Sequence, residues 1–430
     1  MPTGLILYED SRWRDLRPLT DTVVVPALVY GASHLAARWV SAVGLPLAGV
    51  IARPHVLAAW HDRPATEAAG ADDLIVVNAA AQPGPWFDAV RAATAPAVFE
   101  AAGMIVAARI TARAFESARS GAQSVEGVLA ALAPPTTVEA RRIAWPWDVI
   151  AWNAAAIESD LLGMTPARDG ELHPAAVLMA PERISIGRGA RIDPLAVLDA
   201  RNGPILIGAG AVVLPHTTVI GPCVVGARTQ LLGGFVSRTT LGPECRIAGE
   251  VEECVWQGYG NKRHHGFVGH SVIGEWVNLG ALTTTSDLKN NYGAVRVWID
   301  GHEIDSGSSK VGSLIGAHVK TGIGTLLATG AAIGMGSNLF AGGQFAPKEV
   351  ASFSWWDGAR FDEHQLEPFL KTAKIAMSRR GRVLTAADVV LLREAFVASA
   401  PERERQRVAA APLPAPRAPA AGPGPRADGT

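Results

Sequence analysis

From about residue 180 onward, aliphatic residues return at every sixth position. Ile186, Ile192 and Leu198 form one run, and Ile207, Val213, Val219, Val225 and Leu231 form a second. Ile315, Thr321, Leu327, Ile333 and Leu339 form a third. Helices repeat at about 3.6 residues and strands at 2, so neither accounts for a sustained step of six. A chain that lays down a short flat face, turns a corner and repeats does account for it. Gly187, Gly208, Gly226, Gly316 and Gly334 follow repeat positions, where such corners fall. The spacing predicts a parallel β-helix of hexapeptide repeats.

The remaining bulk properties narrow the setting. A length of 430 residues exceeds one ordinary domain, and two are expected. Lys plus Arg number 39 against 40 Asp plus Glu, so no global charge draws the chain to nucleic acid or an anionic membrane. Cys223, Cys245 and Cys254 are too few for a disulfide framework and lack a CxxC zinc spacing, which fits a reducing, cytoplasmic compartment. The opening MPTGLILYEDSRW has neither a basic n-region nor a sustained apolar run, so no secretory leader is expected. The uncharged stretch from Thr321 to Pro347 is long enough to span a bilayer. Its glycines and its step of six assign it to the β-helix instead, and no membrane partner is expected.

Residues 1–165 read differently. Leu5–Tyr8, Leu47–Ala52 and Asp73–Ala80 are short apolar runs of strand character, and Ser33–Val40 and Pro85–Ala93 carry helical patterns. Such alternation predicts an α/β domain on a mainly parallel sheet, closed by a helix over Trp145–Asp160. The β-helix is expected over 180–355. Asp362–Arg380 has an apolar stripe, and Thr385 to Asp388 reads as a capping box, so helices over 360–400 are expected to cap the solenoid or pack on a neighbour. Residues 401–430, Pro/Ala-rich with almost no large apolar side chains, read as a disordered tail.

One stretch breaks the β-helix rule. Gly260 to Gly293 reads GNKRHHGFVGHSVIGEWVNLGALTTTSDLKNNYG, with Lys262, Arg263, His264, His265 and His270 in a row of nine positions. A second polar cluster, Thr283 to Asn291, follows after Ile273 and Leu279 resume the repeat. A fold that suspends its packing rule twice in one place does so for a site.

These residues resemble a known family. An α/β half followed by a hexapeptide β-helix is similar to sugar nucleotidyltransferases that carry an acyltransferase half. In design it resembles the bifunctional N-acetylglucosamine-1-phosphate uridylyltransferase/glucosamine-1-phosphate acetyltransferase. The closer likeness is to a bacterial variant group marked by the motif running here from Asn261 to Gly293, and it covers about residues 1–380. The resemblance implies a left-handed coil, a homotrimer, and acetyl-CoA held between neighbours. It implies amide formation from a thioester and a sugar amine, with His264 as the base and His265 as the fallback. Histidine suits that role because its ordinary pKa lies near neutrality. Lys262 and Arg263 would hold a sugar phosphate, Asn291 and Tyr292 would touch and orient the sugar, and Lys289 would assist. Ala281 and Ala317 would offer backbone groups to acetyl-CoA. His270 reads as structural.

The resemblance also implies an N-terminal half that joins an NTP to a sugar 1-phosphate with Mg²⁺. Such enzymes open with a glycine-rich phosphate loop. Tyr8–Thr20 has no glycine, so Arg12, Arg14 and Arg17 would substitute guanidinium groups, and a basic residue expected just after Thr20 is absent. Asn78 stands at the end of Leu74–Val77, where relatives place a metal-binding Asp, and Asn153 and Asp160 would supply the second metal position. Two other readings stay open: a catalytically silent nucleotide-sugar-binding scaffold, and a β-helical zinc hydratase using His264, His265 and His270.

Overall fold

A computed structural model describes residues 3–66, 71–119, 124–340 and 342–410. The first layer is a six-stranded sheet made of β1 (Thr3–Tyr8), β2 (Leu47–Ile51), β3 (Asp73–Asn78), β4 (Ala97–Ala101), β5 (Met104–Thr111) and β6 (Pro135–Thr137). Its order is β2-β1-β3-β5-β4-β6. β1 pairs in parallel with β2 and β3, but β5 runs antiparallel to both β3 and β4. β4 pairs in parallel with β6, so the sheet is mainly parallel, as expected, with β5 alone reversed: Gly103 turns β4 directly back into β5 at φ +75°, leaving no room for a crossover. Helix α1 (Leu35–Val43) follows β1, α2 (Pro54–Ala58) follows β2, and α3 (Pro146–Leu161) closes the layer.

The six-residue repeat forms coils. Nine short strands stack in parallel into one face, and the register runs Ile186, Ile207, Val225, Leu241, Trp256, Ile273, Ile315, Ile333, Val350. Every repeat residue named above is buried, including Thr321 at 4% exposure. Each buried aliphatic side chain is worth about 1.5–3 kcal/mol, so the column fixes the register of the coils. Thr321–Pro347 belongs to these coils, and among the described residues no helix is long and apolar enough to cross a membrane.

Strands alternate faces, and on this sheet both faces are dry. Trp256, Ile273, Ile315 and Ile333 point into the β-helix core. Their neighbours Val255, Val272, Leu314 and Ala332 share a second core with Leu5, Leu7, Trp39 and Val77 of the α/β layer. The two halves are thus pressed together over a continuous apolar seam. An antiparallel hairpin, Arg296–Ile299 with His302–Asp305, leaves the β-helix after the polar break and buries Val295, Val297 and Ile299 in that seam.

Helices α4 (Leu366–Ser378) and α5 (Ala386–Ala398) cover the flank of the solenoid, with Phe369 and Leu392 against Met335 and Phe353. The Thr385–Asp388 capping box is formed. The tail departs from expectation. Helix α6 (Ala400–Ala410) continues the chain, while 411–430 lie outside the described residues. One anchor is Arg403, 4% exposed, which bonds Glu363 at 3.1 Å and stacks on Phe396. Polar anchoring of this kind offsets what composition alone withholds.

Candidate functional site

Parallel strands bring their C-terminal ends to one edge, where α/β sheets bind ligands. β1 and β3 end side by side at Tyr8 and Asn78. Just beyond, Asp10 caps the turn Ser11–Leu16 by accepting from the Arg12 amide at 3.1 Å. Asn78 is buried and donates to Asp10 at 2.8 Å while its carbonyl oxygen accepts from Ala80 N–H at 3.0 Å. Arg142 reaches the same carboxylate at 3.3 Å, with both side chains more than nine-tenths buried. Its Nε and Nη2 have no partner. Burial holds the Arg142 pKa below its usual value; Asp10 opposes this and nearby Arg12 adds to it. A half-used buried guanidinium beside a second, exposed arginine is built to receive an anion such as phosphate.

Asp10 and Arg142 escaped the sequence reading. Their meeting depends on residues 141–143 pairing with 80–82, through Ile143 N–H to Ala80 and Gln82 N–H to Arg141. No local pattern announces that contact.

Other N-terminal expectations change. Arg17 is not a phosphate donor: it bonds Asp21 at 2.8 Å, Asp300 at 2.6 Å and Glu402 at 2.8 Å, tying the α/β layer to the hairpin and to α6. Arg12 and Arg14 remain exposed, Arg14 lying over Trp13. Asn153 and Asp160 are not joined to Asn78. The Asn153 carbonyl accepts from Gly31 N–H and Thr240 hydroxyl, both at 3.0 Å. Asp160 accepts from Ala32 N–H and pairs with Arg38. Both therefore fasten α3 to the turn at Gly31 and Ala32 just before α1, and Asn153 also ties it to the β-helix. The Mg²⁺ reading does not fit these residues, because Asn78 spends its amide on Asp10 and Ala80 and a guanidinium fills the position facing Asp10.

In the β-helix the polar break forms one outward corner. Lys262 turns inward, 1% exposed, donating to the carbonyls of Ala248 at 2.7 Å and His264 at 3.0 Å. Burial lowers its pKa to about 8. The expected phosphate contact of Lys262 is corrected accordingly: it pins the loop that presents Arg263, His264 and His265, all three exposed. Gly266 completes the corner at φ +130°, where a Cβ would lie 2.2 Å from the Thr283 carbonyl. The next coil rests directly on this loop, Leu282 N–H reaching His265 O at 2.9 Å.

His270 is structural, as read. Its Nδ1 lies 2.7 Å from Asp287 and its Nε2 3.3 Å from Glu253. Burial alone would lower its pKa, but the bonds to Asp287 and Glu253 outweigh this and raise it to about 9. Both ring nitrogens are thus committed to carboxylates, which removes the third ligand of the zinc reading, and no metal-holding cluster of His, Cys, Asp and Glu occurs among the described residues.

Asn291 and Tyr292 open the inserted hairpin and are exposed, Tyr292 at 74%. Asn291 accepts from Gly293 N–H at 3.1 Å, and Lys289 donates to the Ala294 carbonyl. Lys289 therefore shapes its own turn. Ala281 and Ala317 stand at different corners, their carbonyls accepting from Gly324 and Gly336 respectively, each at 2.8 Å. Ala317 is buried and lines a cavity walled by this chain.

Residues 5–169 match the sugar nucleotidyl transferase family. A bifunctional sugar-1-phosphate nucleotidylyltransferase/acetyltransferase from Sulfurisphaera tokodaii is 39% identical over 93 residues, 22% of this chain and 23% of that one. The bifunctional protein GlmU of Corynebacterium glutamicum (strain R) is 30% identical over 229 residues, 48% of this chain and 43% of that one. The chain therefore spans well under half the length of these relatives. Among solved structures, an Arabidopsis UDP-N-acetylglucosamine acyltransferase is 15% identical and covers 50% of this chain and 79% of its own, at a TM-score of 0.20. That likeness is too slight to bear on function. Residues 5–169 are thus similar to the sugar nucleotidyl transferase family, and up to about half of the chain is similar to bifunctional nucleotidyltransferase/acetyltransferases of the GlmU type.

Proposed function

We propose that this chain is a two-part transferase of nucleotide-sugar biosynthesis. The α/β domain passes a nucleotidyl group from an NTP to a sugar 1-phosphate and releases pyrophosphate. The β-helix acetylates an amino sugar, in the first instance glucosamine 1-phosphate, from acetyl-CoA. The observation that carries the reading is the polar break, a rigid coil that spends a buried lysine to hold His264 and His265 outward.

In the acetyl transfer, the sugar nitrogen attacks the thioester carbonyl, a C–N bond forms and the C–S bond breaks. His264 takes the amine proton as the thiolate leaves. Arg263 holds the sugar phosphate, while Asn291 and Tyr292 contact the sugar. An open histidine corner needs a second wall, and a homotrimer with acetyl-CoA between copies would supply it. In the nucleotidyl transfer, a sugar-phosphate oxygen attacks the α-phosphorus. Arg142 and Arg12 hold the phosphate charge there.

The test is acetyl-CoA consumption with glucosamine 1-phosphate, native protein beside His264→Ala. A general base is worth about 10²–10⁴-fold, and a loss on that scale is expected. Equal rates would remove His264 from the mechanism. No turnover with any amino sugar would remove the acetyltransferase. One observation favours a second reading, a silent nucleotide-sugar-binding scaffold: Arg17 is consumed by three carboxylates in a loop without glycine. Pyrophosphate release from UTP or dTTP with sugar 1-phosphates separates the two, since a scaffold would bind and release none.

A further inference from the structure

Where the α/β layer, the β-helix and the C-terminal helices meet, they form a cavity of about 660 Å³ that opens to solvent past Asp62 and Val383. Of the residues named for the candidate sites, Ala317 lines it, while the strand-end cluster and the histidine corner do not. Its walls are mostly apolar, with Val24, Val56, Leu241 and Leu391 from three parts of the chain. A volume in this range, apolar with a few convergent polar groups, is that of a small-molecule site.

Two of those polar groups are unspent. Glu275 lines the cavity, and its carboxylate makes no hydrogen bond or ion pair among the described residues. His318 is 6% exposed, and its Nδ1 is buried without a partner. Its ring lies parallel to Trp276 at 6.2 Å, and Trp276 stacks on Tyr259 at 4.1 Å, giving a rigid aromatic wall.

The other acids nearby already have hydrogen-bond partners, Asp388 also accepting from Thr385 at 2.7 Å and 2.8 Å. Arg382 bonds the Tyr259 hydroxyl oxygen at 2.9 Å and pairs with Asp62 at 3.2 Å. His61 pairs with Asp388 at 2.9 Å. Glu275 is the acid left over. Glu275 is half-buried and Arg382 is the cation acting on it, but no ion pair forms among the described residues, and a ligand that brings a cation to the carboxylate offsets the cost of its partial burial. The same surplus of negative charge repels NTPs, sugar phosphates and coenzyme A.

We propose that this cavity is a separate binding site for a small organic ammonium ion with an apolar ring-bearing body, its amine meeting Glu275 and its ring lying against the aromatic wall. Burial, with Asp62 adding to it, raises the Glu275 pKa to about 7. Burial holds the His318 pKa down at about 3, so His318 stays neutral and offers a hydrogen bond without competing charge. Because three parts of the chain form the walls, an occupant would stiffen their mutual packing.

Tryptamine and 2-phenylethylamine serve as probes against their neutral counterparts, tryptophol and 2-phenylethanol, on the full chain by calorimetry and thermal shift. At pH 8.5 the amines should bind more tightly than the alcohols by about tenfold or more, the scale of a charge-assisted bond. Glu275→Gln, which removes a buried acid and should fold, is expected to erase that preference. At pH 5 the preference should also vanish in the native protein. Of the groups lining the cavity with Glu275, Arg382 stays charged across this range, His318 stays neutral, Asp62 is paired with Arg382 and Asp388 with His61. His34 and His61 line it too, so His34→Gln and His61→Gln should each keep the pH dependence, and its loss in either would overturn the assignment to Glu275. Equal binding of amines and alcohols, no binding of either, or an amine preference that survives Glu275→Gln would each overturn the proposal.

Discussion

The strand-end cluster of the α/β layer and the polar corner of the β-helix handle charge in opposite ways. At the strand ends, Asp10, Asn78 and Arg142 are buried and already bonded to one another. At the corner, Arg263, His264 and His265 face solvent, and the buried groups beneath them serve only to hold the loop. The first arrangement is pre-paired within one chain, with part of the Arg142 guanidinium left over, and depends on low dielectric. The second is a rigid platform whose chemistry waits for another surface. Stability and activity should therefore separate differently in the two places.

Arg142→Ala is the strongest test of that contrast. It leaves Asp10 buried without its cation, and a loss of about 3–5 kcal/mol is expected by urea unfolding. A variant as stable as the native protein would break the comparison, because the cluster would then not be pre-paired. Next comes His270→Gln, which removes two charge-assisted bonds worth about 1.5–3 kcal/mol each before solvent relaxation. The folded pKa of His270 is raised to about 9 from an ordinary value near 6.5. Its stabilising contribution is therefore full below about pH 6.5 and is lost as pH rises through 9. The gap in Tm between native and His270→Gln should close over that window, and a gap constant with pH would count against the paired imidazolium.

Arg17→Met sharpens the comparison from the structural side. It is partly exposed, so its three ion pairs should be worth about 1 kcal/mol together. The readout is faster hydrogen exchange in 400–410 with little change in β1. His264→Ala should be the mildest of all for stability, within about 0.5 kcal/mol, while its effect on acetyl transfer is large. A large loss of stability there would mean that the corner is packed rather than presented.

Parts of this were legible in the sequence for definite reasons. A step of six can arise from few backbones, so Ile207 to Leu231 declared the coils before any contact was known. The motif from Asn261 to Gly293 marked the corner because its residues are local to one coil and the next. Side-chain direction was not legible. Lys262 and Arg263 are adjacent and chemically alike, yet one is enclosed and the other free, because only Lys262 occupies an inward-facing position above Ala248. Arg17 took a role other than the expected one, and Arg142 went unread, for a similar reason. Their partners, Asp300, Glu402 and Asp10, lie far away along the chain, and spacing carries no record of such meetings. Helix α6 was hidden because its composition is polar, and its docking rests on polar side chains, Glu402, Arg403 and Gln406, whose partners lie far away along the chain.

The apolar seam formed by Val255, Val272, Leu314 and Ala332 has a consequence for how such a chain can change. These residues give one sheet a dry exterior, so neither half owns a finished surface on that side. A transplanted α/β half would arrive without the wall that its core was shaped against, and the remaining solenoid would expose a sticky stripe. The two activities proposed for this molecule are therefore not interchangeable modules strung on a linker. They are lodgers in one building, and renovation of either must keep the party wall standing.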